Sequence, residues 1–495
     1  MSRVATNTIS LAYAKEATLG VLPGSPLWKL VEPNDISAFG ANLTKVSRNP
    51  ISKDRQRKKG TTTNLESPVE FEADVTLEAV IDFLEGFCFS KFKGSTTVWG
   101  PQQTNDVTSV NATEYVVTAA GALAQNRLVY ARGFTNAANN GLKVVGAAST
   151  ATAIKVAGLV VEASPPVEAE VALTGVRGAT GDIQVNAGGE LISAALDFTT
   201  LGLTVGQGIW VGGEAAAQTF AVAANRGFAR VVSIAANLLT IDKTALPFTV
   251  DNGAGKNIDI YFGRFLRNVD VDHADFFEQS FQFEGAYPNL ESVGVAAYEY
   301  AKGNYCNELT FNLPVADKAT MTFGFVGTDT APPTITRATN AATPVLPIKT
   351  GAMNTSADIA RLRITKTDET GITTYFKSLN FTLNNNVTPE NVLAVLGAAF
   401  INIGNLDVDI DTQLVFTNKE VPIAIRDNTT VTMDWSLRND DGGMFFDVPA
   451  MTLGGGDKEF PENESVLINT PAEAFKDPTL GTSLSVSLFP FLPAA

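Results

Sequence analysis

The chain has 495 residues, 45% of them hydrophobic and 18% charged, which excludes a disordered chain and allows about two to four domains with packed cores. Lys and Arg total 36 against 52 Asp and Glu, which gives a net charge of −16. This charge argues against a protein that binds duplex DNA tightly, because such proteins present a basic face to the phosphates. One histidine, His273, and two cysteines, Cys88 and Cys306, are too few and too widely spaced for a zinc site or a disulfide framework, and we interpret both cysteines as buried apolar groups.

The chain carries no sign of an enzyme, a membrane protein or a secreted protein. It contains no phosphate-binding loop, nucleophile elbow or catalytic pair of carboxylates, and an isolated histidine such as His273 is more often structural than catalytic. No apolar run reaches the roughly 18 residues of a membrane span, and the first residues lack the apolar core of a signal peptide. We therefore expect no enzymatic activity, no cofactor or metal, no membrane contact, and assembly in a cytoplasm.

Alternation of apolar and polar residues is the dominant pattern, and it predicts half-buried strands. It is clearest where acidic residues alternate with apolar ones, at 69–75, 281–284 and 406–411, and it recurs at 362–365 and 433–437. The 41 glycines and 23 prolines supply many turns. The sequence therefore predicts an all-β protein with little helix.

A single clear helix is predicted immediately after the strand at 69–75. Its apolar positions follow the i, i+3, i+4, i+7 spacing of one helix face: Leu77, Val80, Ile81 and Leu84. Thr76 can cap the start of this helix and Gly86 can end it. We expect its apolar face to pack against a sheet.

Residues 48–66 are a polar segment that we interpret as a long loop between two strands. The segment carries a dense basic run in an otherwise acidic chain: Lys53, Arg55, Arg57, Lys58 and Lys59. Such a run can be a solvated loop, an arm that docks on an acidic face of a neighbouring subunit, or a patch that contacts nucleic acid. The sequence leaves these three interpretations open.

The composition changes between about residues 96 and 261, where Ala, Val and Gly dominate. Two stretches in this region, 127–156 and 208–242, both read as strand, turn, strand, turn, strand, with Asn-Gly or Arg-Gly at a turn. We interpret 96–261 as a tandem pair of small β modules inserted into the chain.

A wider repeat relates the two ends of the chain. A strand near 36–43, a loop, the acidic strand at 69–75 and the helix are followed later by a strand at 379–383, a loop, the acidic strand at 406–411 and a short helix over 418–426 that Asn418 can cap. We therefore expect two copies of one sandwich. The predicted boundaries are 1–95 together with 262–335 for the first copy, 96–261 for the insertion and 336–495 for the second copy.

Several segments resemble phage tail tube proteins. The opening segment is similar to the Tyr-x-x-Glu-x-Thr-x-Gly-x-x-Pro segment of that family, through Tyr13, Glu16, Thr18, Gly20 and Pro23. Residues 323–327 resemble a strand end of the family, and the strand pair at 376–383 with its Asn-rich turn at 384–386 resembles another of its features. Modules with an Asn-Asn-Gly turn like the one at 139–141 also occur there as insertions.

The resemblance implies a structural virion protein without enzymatic activity. In that family, each tube domain adds a four-stranded piece to an inner barrel, a helix packs outside it, and a long loop reaches the next ring. The basic segment would then join stacked rings. Two tube domains in one chain imply a trimer with pseudo-sixfold symmetry, with a plain hexamer as the alternative. The implied partners are further copies of the chain and the tail terminator, tape measure and tail-tip proteins, while DNA passes through without specific binding.

Two acidic stretches without Lys or Arg are candidates for the wall of a DNA channel, since an acidic wall repels phosphates. They span 270–300 and 379–418, and we single out Glu284, Asp407, Asp409 and Asp411. These residues can equally lie on ordinary exposed strand faces. The competing functions are a surface-binding or adhesion protein built of tandem β modules, and another shell or decoration protein of a virion.

Overall fold

The computed structural model describes residues 3–51, 53, 56–94, 98–100, 106–118, 123–147, 149–372 and 375–493. This part of the chain forms 33 strands and two α-helices, together with short 3-10 helices. The predicted all-β architecture is therefore confirmed.

The elements fall into three groups along the chain. The first group is β1 Ser10–Lys15, β2 Lys29–Val31, β3 Pro33–Phe39, β4 Asn42–Arg48, β5 Lys58–Asp74 and α1 Leu77–Cys88. The second is β6 Val98–Trp99, β7 Val107–Asn111, β8 Glu114–Val117, β9 Arg127–Arg132, β10 Gly141–Val144, β11 Ala153–Lys155, β12 Glu170–Arg177, β13 Gln184–Val185, β14 Leu191–Ile192, β15 Gly208–Val211, β16 Gly227–Ala235, β17 Leu238–Asp242 and β18 Asp259–Tyr261. The third is β19 Arg264–Arg267, β20 Phe281–Pro288, β21 Ala296–Pro314, β22 Thr320–Gly327, β23 Asp329–Thr334, β24 Ile359–Lys366, β25 Phe376–Asn384, β26 Thr388–Asn391, β27 Ala398–Asn402, β28 Asp407–Val415, α2 Glu420–Arg426, β29 Thr430–Asn439, β30 Gly442–Leu453, β31 Lys458–Glu459, β32 Leu467–Ala474 and β33 Ser485–Phe489.

The first and third groups contain two halves with the same order of strand pairing. In the first half, β5 pairs with β3 and β22, β22 with β21, β21 with β20, and β20 with β1. In the second half, β28 pairs with β25 and β32, β32 with β30, β30 with β29, and β29 with β24. A helix follows the equivalent strand in each half, α1 after β5 and α2 after β28. The duplication predicted from the sequence is confirmed by this shared order.

The two halves share one continuous apolar core, and each half contributes a group of aromatic rings to it. In the first half, Phe83 of α1 lies among four phenylalanines of the sheets, with ring centroids 5.0–6.1 Å apart: Phe71, Phe281, Phe323 and Phe325. In the second half, Trp435 stacks on Phe446 with centroids 4.1 Å apart, beside Phe381 and beside Phe311 of β21 in the first half. Burial of these large apolar surfaces is the main force that holds the two halves together.

Helix α1 begins as predicted but ends later. The Ala79 amide donates to the Thr76 hydroxyl (3.3 Å), which caps the first turn. The prediction that Gly86 ends the helix is wrong, because α1 continues to Cys88 and ends at Phe89, whose φ is 42°. Gly86 instead permits close packing, since a Cβ there would lie 2.7 Å from the Cys306 sulphur. The Val80 side chain lies outside the described part of the structure.

The two cysteines are buried and free, as predicted. Burial raises the pKa of Cys88 to about 12 and raises that of Cys306 as well. The predicted short second helix is α2, and the Asn418 side chain accepts a hydrogen bond from the Glu420 amide (2.8 Å).

The prediction of a loop over 48–66 is corrected. Strands β4 and β5 form an antiparallel hairpin from the pair Asn42 and Glu66 to the pair Arg48 and Lys58, so the connection is 49–57. We call residues 42–66 the basic hairpin. Its basic side chains Lys53, Arg57, Lys58 and Lys59 are exposed, and Arg55 lies outside the described residues.

The second group forms sheets of its own. One sheet has the order β10-β9-β12-β18-β15-β16-β17-β14-β13, with β6 also pairing β12, and a small sheet has the order β11-β8-β7. The two predicted repeats share one antiparallel pair each, β9 with β10 and β15 with β16. They differ in the third strand, because β17 pairs with β16 whereas β11 pairs with β8 in the separate small sheet.

The repeats also share a buried asparagine that sequence reading missed. Each lies in an Ala-Ala-Asn segment that forms a 3-10 helix before the second strand. Asn139 exchanges two hydrogen bonds with the backbone of Val160 (2.8 and 2.9 Å), and Asn225 does the same with Thr249 (2.7 and 2.8 Å). An amide side chain offers the same donor and acceptor as a peptide unit. Each asparagine therefore holds a second segment of main chain against its module.

Candidate assembly surfaces

Six neighbouring strands of the two halves present one continuous acidic face. Cross-strand pairing places its residues in three rows: Asp74, Thr320, Asn312, Asn380, Asp411 and Pro471; Glu72, Thr322, Thr310, Thr382, Asp409 and Glu473; and Glu70, Gly324, Glu308, Asn384 and Asp407. The residues between them in each strand, such as Phe71 and Ile410, are buried in the core. The strands therefore separate a packed face from an exposed face, as period-two patterning requires.

The acidic face has a strongly negative character. Eight residues in the three rows are Asp or Glu, and none is Lys or Arg. Partial burial raises the pKa of Asp409, and the neighbouring carboxylates of Asp407, Glu473 and Asp411 raise it further. Lys318, at the margin of the face, forms an ion pair with Asp74 (2.6 Å).

Three of the four acidic residues predicted from the sequence lie on this face. Asp407, Asp409 and Asp411 alternate with buried residues along β28 and are exposed. Glu284 does not belong to the face, because it is only 2% exposed and binds the Arg337 guanidinium through two hydrogen bonds (2.6 and 2.9 Å). Tyr300 also donates its hydroxyl proton to Glu284 (2.7 Å). Strand β20 is covered on both faces where Glu284 lies, so alternation there did not indicate exposure.

Sequence reading did not assign the other acidic residues of the face: Glu70, Glu72, Asp74, Glu308 and Glu473. The alternation at 69–75 identified a strand and could have suggested the first three. Glu308 and Glu473 have no acidic residue two positions away in their strands, and only the pairing of β21 and β32 brings them to the face.

The two halves join through the pairing of β21 with β25. This antiparallel pairing runs from Glu308 and Asn384 to Pro314 and Ser378, and it continues the sheet from one half into the other. The acidic face crosses this junction without a break.

The outer ends of the same sheet carry two strand edges that have no strand partner among the described residues. One is β3, which pairs only with β5. The other is the segment 451–459, which follows β32 and comprises the end of β30, two glycine amides that donate to Pro471 (2.7 Å) and Asn469 (3.0 Å), and β31. Its first two residues also pair with β29, so the free edge of this segment begins at Leu453. By the pairing order, β3 is equivalent to β25, and segment 451–459 is equivalent to the later part of β21.

A second hairpin, β26 with β27, is equivalent to the basic hairpin, since each lies between equivalent strands. We call it the apolar hairpin, because Val392, Leu393, Val395 and Leu396 at its tip are 40–98% exposed. It packs on the first half, where the Leu65 amide donates to the Leu396 carbonyl (3.0 Å). Both hairpins therefore lie at the same end of the sheet.

The opposite end of the sheet, next to α2, carries an acidic loop between β30 and β32. We define the acidic loop as residues 457–464, which expose Asp457, Glu459, Glu462 and Glu464 with a single lysine, Lys458. Phe460 in this loop is 75% exposed. The chain thus has a basic hairpin at one end and an acidic loop at the other.

The described residues contain no group of three or more His, Cys, Asp or Glu side chains arranged to hold a metal ion. His273 is exposed, and its Nδ1 accepts a hydrogen bond from the Asp275 amide (3.1 Å). None of the helices in this part of the chain is long and apolar enough to cross a membrane.

Comparison with known proteins agrees with the duplication of the two halves. A model of the phage tail tube protein family matches residues 6–287 and matches again at residues 244–467. No curated protein matches the chain.

Proposed function

Because the chain belongs to the phage tail tube protein family and is therefore a structural component of the phage tail, we propose that three copies close into a ring. Such rings stack into a tube, and the tube conducts the genome from capsid to host. The subunit acts without catalysis, and its partners are further copies of itself together with the tail terminator, tape measure and tail-tip proteins. Assembly takes place in the host cytoplasm.

The observation that carries this proposal is the junction of β21 with β25. Within one chain, this pairing joins two equivalent halves and keeps the acidic face continuous. The outer edge of β3 and the outer edge of segment 451–459, from Leu453 onward, are the equivalents of its two sides. In a ring, segment 451–459 of one chain pairs with β3 of the next, and every junction between halves then has the same form. Closure also removes exposed strand edges, which otherwise invite uncontrolled pairing.

A heterologous contact of this kind generates a closed ring when the rotation between copies closes. A ring in the phage tail tube protein family usually holds six tube domains, and three chains with two halves each supply that number. The proposed domains are 1–95 with 262–335, and 336–495, while 96–261 is an insertion outside the ring wall. The separate sheets and separate cores of the insertion support this division.

The acidic face lines the channel in this proposal. Duplex DNA carries one negative charge per about 1.7 Å of its length, so a basic wall would hold it by releasing counterions. A wall whose charged rows contain only carboxylates does not bind phosphates, and the DNA slides past it.

Lysine at Asp407, Asp409 and Asp411 tests the channel. These side chains are exposed and face away from the core, so we expect tubes to assemble and DNA to leave the phage more slowly, with a delay that shrinks as salt is raised. Ejection is followed in vitro by the fluorescence of a DNA-binding dye. The matched control carries Asn at the same three positions and keeps a near-normal rate. An unchanged rate in assembled Lys-variant phage would remove these residues from the channel wall.

A further inference from the structure

Phe460 follows β31 directly and is 75% exposed in the single chain. Exposure by itself gives this side chain no role, because single apolar residues are common on protein surfaces. Its position in the duplicated fold is more informative, since the strand pairing identifies the residue that occupies the same position in the first half.

The equivalent of Phe460 is found by following the pairing in each half from the end of the strand that precedes the helix. The two series of paired residues are Asp74, Thr320 and Asn312 in the first half, and Val415, Leu467 and Glu459 in the second. The next residue along the chain is Leu313 in the first half and Phe460 in the second. These two residues are therefore equivalent.

Leu313 shows what this position does within one chain. It pairs with Leu379 of β25 at the junction of the two halves, and the two residues are only 5% and 1% exposed. The equivalent of Leu379 is Ile36 of β3, because each pairs with the residue three positions before the end of β28 or β5. In a ring whose junctions copy this register, Phe460 of one chain lies opposite Ile36 of the next.

The alternation along β31 directs Phe460 toward the core side of the sheet. Glu459 accepts hydrogen bonds from Gln413 (3.3 Å) and Asn469 (2.6 Å), and Gln413 follows Asp411 of the acidic face by two residues in β28. Successive side chains of an extended strand point to opposite sides of the sheet. Phe460 therefore faces away from the acidic face, as Leu313 does.

A cavity of about 230 Å³ lies on the core side of β3, where β2, β3, β5 and the start of α1 meet. Its apolar wall includes Val31, Pro33, Phe71, Ala79 and Phe83. Ile36 pairs with Phe71 of this wall and is itself only partly buried. An aromatic ring that packs on Ile36 would remove apolar surface from water on both chains.

We propose that Phe460 of one chain packs on Ile36 of the next chain and closes the cavity beside β3. The partner is thus a second copy of this chain, and the contact is the counterpart of Leu313 with Leu379 inside one chain. The inference rests on the proposed function, since it requires ring junctions that copy the pairing of β21 with β25. It adds the residue pair that seals each junction.

A pair of introduced cysteines tests the register. Residues directly opposite in antiparallel strands have Cβ atoms about 4.5–5.5 Å apart, close to the separation of about 3.5–4.5 Å in a disulphide. Phe460→Cys combined with Ile36→Cys should therefore link neighbouring chains when assembled rings are mildly oxidised. Non-reducing electrophoresis should then show species of two and three chains.

The matched control for this experiment combines Phe460→Cys with Ser37→Cys. The Ser37 hydroxyl donates to Glu70 (3.4 Å), on the acidic side of the sheet, so this pair should not link. The native cysteines are buried and should not react. Circular dichroism and the melting temperature establish that both variants are folded.

Truncation of Phe460 tests its contribution to assembly. Phe460→Ala should raise the concentration at which rings form at least about tenfold, because each junction loses a buried aromatic ring. Phe460→Leu should assemble nearly as wild type does, since leucine occupies the equivalent position at 313. Leu246→Ala, on a residue of the insertion that is 60% exposed, is the control. Sedimentation velocity over a concentration series measures assembly.

The possible failures separate this contact from the ring itself. If wild-type rings form but the Phe460 and Ile36 cysteines do not link, or if Phe460→Ala assembles as wild type does, this contact is wrong and the ring stands. If wild-type chains never form rings, the proposed ring and this contact are both overturned.

Discussion

Asp82 illustrates how one buried carboxylate holds several segments of the first half together. It lies on α1, is 9% exposed, and forms ion pairs with Lys15 of β1 (3.0 Å) and Lys29 of β2 (2.8 Å). Tyr13 donates its hydroxyl proton to the same carboxylate (3.0 Å). Burial alone would raise the pKa of Asp82, but the charges of Lys15 and Lys29 outweigh burial and hold that pKa below its usual range.

Replacement of Asp82 by Asn should therefore destabilise the protein. Loss of a buried ion-pair partner costs about 3–5 kcal/mol, and we expect about 1–3 kcal/mol here because the lysines are partly exposed. Urea unfolding at pH 7 measures this change, with Asp272→Asn on an exposed position as the control. A group with a depressed folded pKa contributes stability above its unfolded pKa of about 3.9, so the difference between wild type and variant should narrow as the pH falls below about 4. A difference that is independent of pH would contradict this assignment.

Gly86 gives a second prediction at the residue scale. Alanine is the better helix former by about 1 kcal/mol, which would favour Gly86→Ala if space allowed. The added Cβ would lie 2.7 Å from the Cys306 sulphur and 2.8 Å from the Phe281 ring, both in the core. Overpacking costs about 1–3 kcal/mol, so the variant should be less stable than wild type. Gly24→Ala, where nothing lies within 4 Å, is the control, and equal melting temperatures for the two variants would refute the packing argument.

Sequence reading succeeded for single residues when their roles are local. The Thr76 cap depends only on the next turn of the chain, and the exposure of Asp407 follows from alternation in one strand. It failed where a distant segment decides. Gly86 must be glycine because the Cys306 side chain packs against it, and Glu284 is buried because it binds Arg337. No pattern in the neighbouring sequence indicates either contact.

At the scale of elements, the two equivalent hairpins have different surfaces. The basic hairpin exposes cations at its tip, and the apolar hairpin exposes aliphatic side chains. The apolar hairpin already packs on a half of its own chain, while the acidic loop lies at the other end of the sheet. These positions fit head-to-tail stacking, with the basic hairpin of one ring on the acidic loop of the next.

Charge reversal tests this contact. Glutamate at Lys53, Arg57 and Lys59 should allow rings to form but block their stacking, because like charges then face each other. Lysine at Glu462 and Glu464, which lie outside the segment that closes the ring, should block stacking when introduced without other changes. Stacking should return when these two lysines are combined with the glutamates of the basic hairpin. Sedimentation velocity distinguishes single rings from stacked ones. Normal stacking of the basic-hairpin variant would assign the contact to other residues.

The hairpin also explains why a loop was predicted at 48–66. Apart from Arg48 at the end of β4, the strand residues in that span are the start of β5, 58–66, which are polar and exposed or half-buried except for Leu65, so no apolar alternation marks them. Pairing between β4 and β5 provides the backbone hydrogen bonds, and the side chains carry no trace of it in the sequence. The buried strands β28 and β5 near the core, by contrast, were read correctly from their alternation.

At the scale of the whole molecule, the order of elements was predictable and the pairing between halves was not. The duplication follows from two similar series of strand, loop, acidic strand and helix. Which edges meet depends on the register of β21 with β25, which no residue pattern specifies. The proposed junction between chains nonetheless copies the pairing of β21 with β25. It can do so because this pairing joins two equivalent halves, and the same two kinds of edge meet between neighbouring chains.

Cryo-electron microscopy of the assembled protein tests the central claim most directly. We expect rings of three chains in which segment 451–459 of one chain pairs antiparallel with β3 of the next, with the acidic face toward the bore. Rings of six chains, or rings in which β3 and segment 451–459 both stay unpaired, would contradict it.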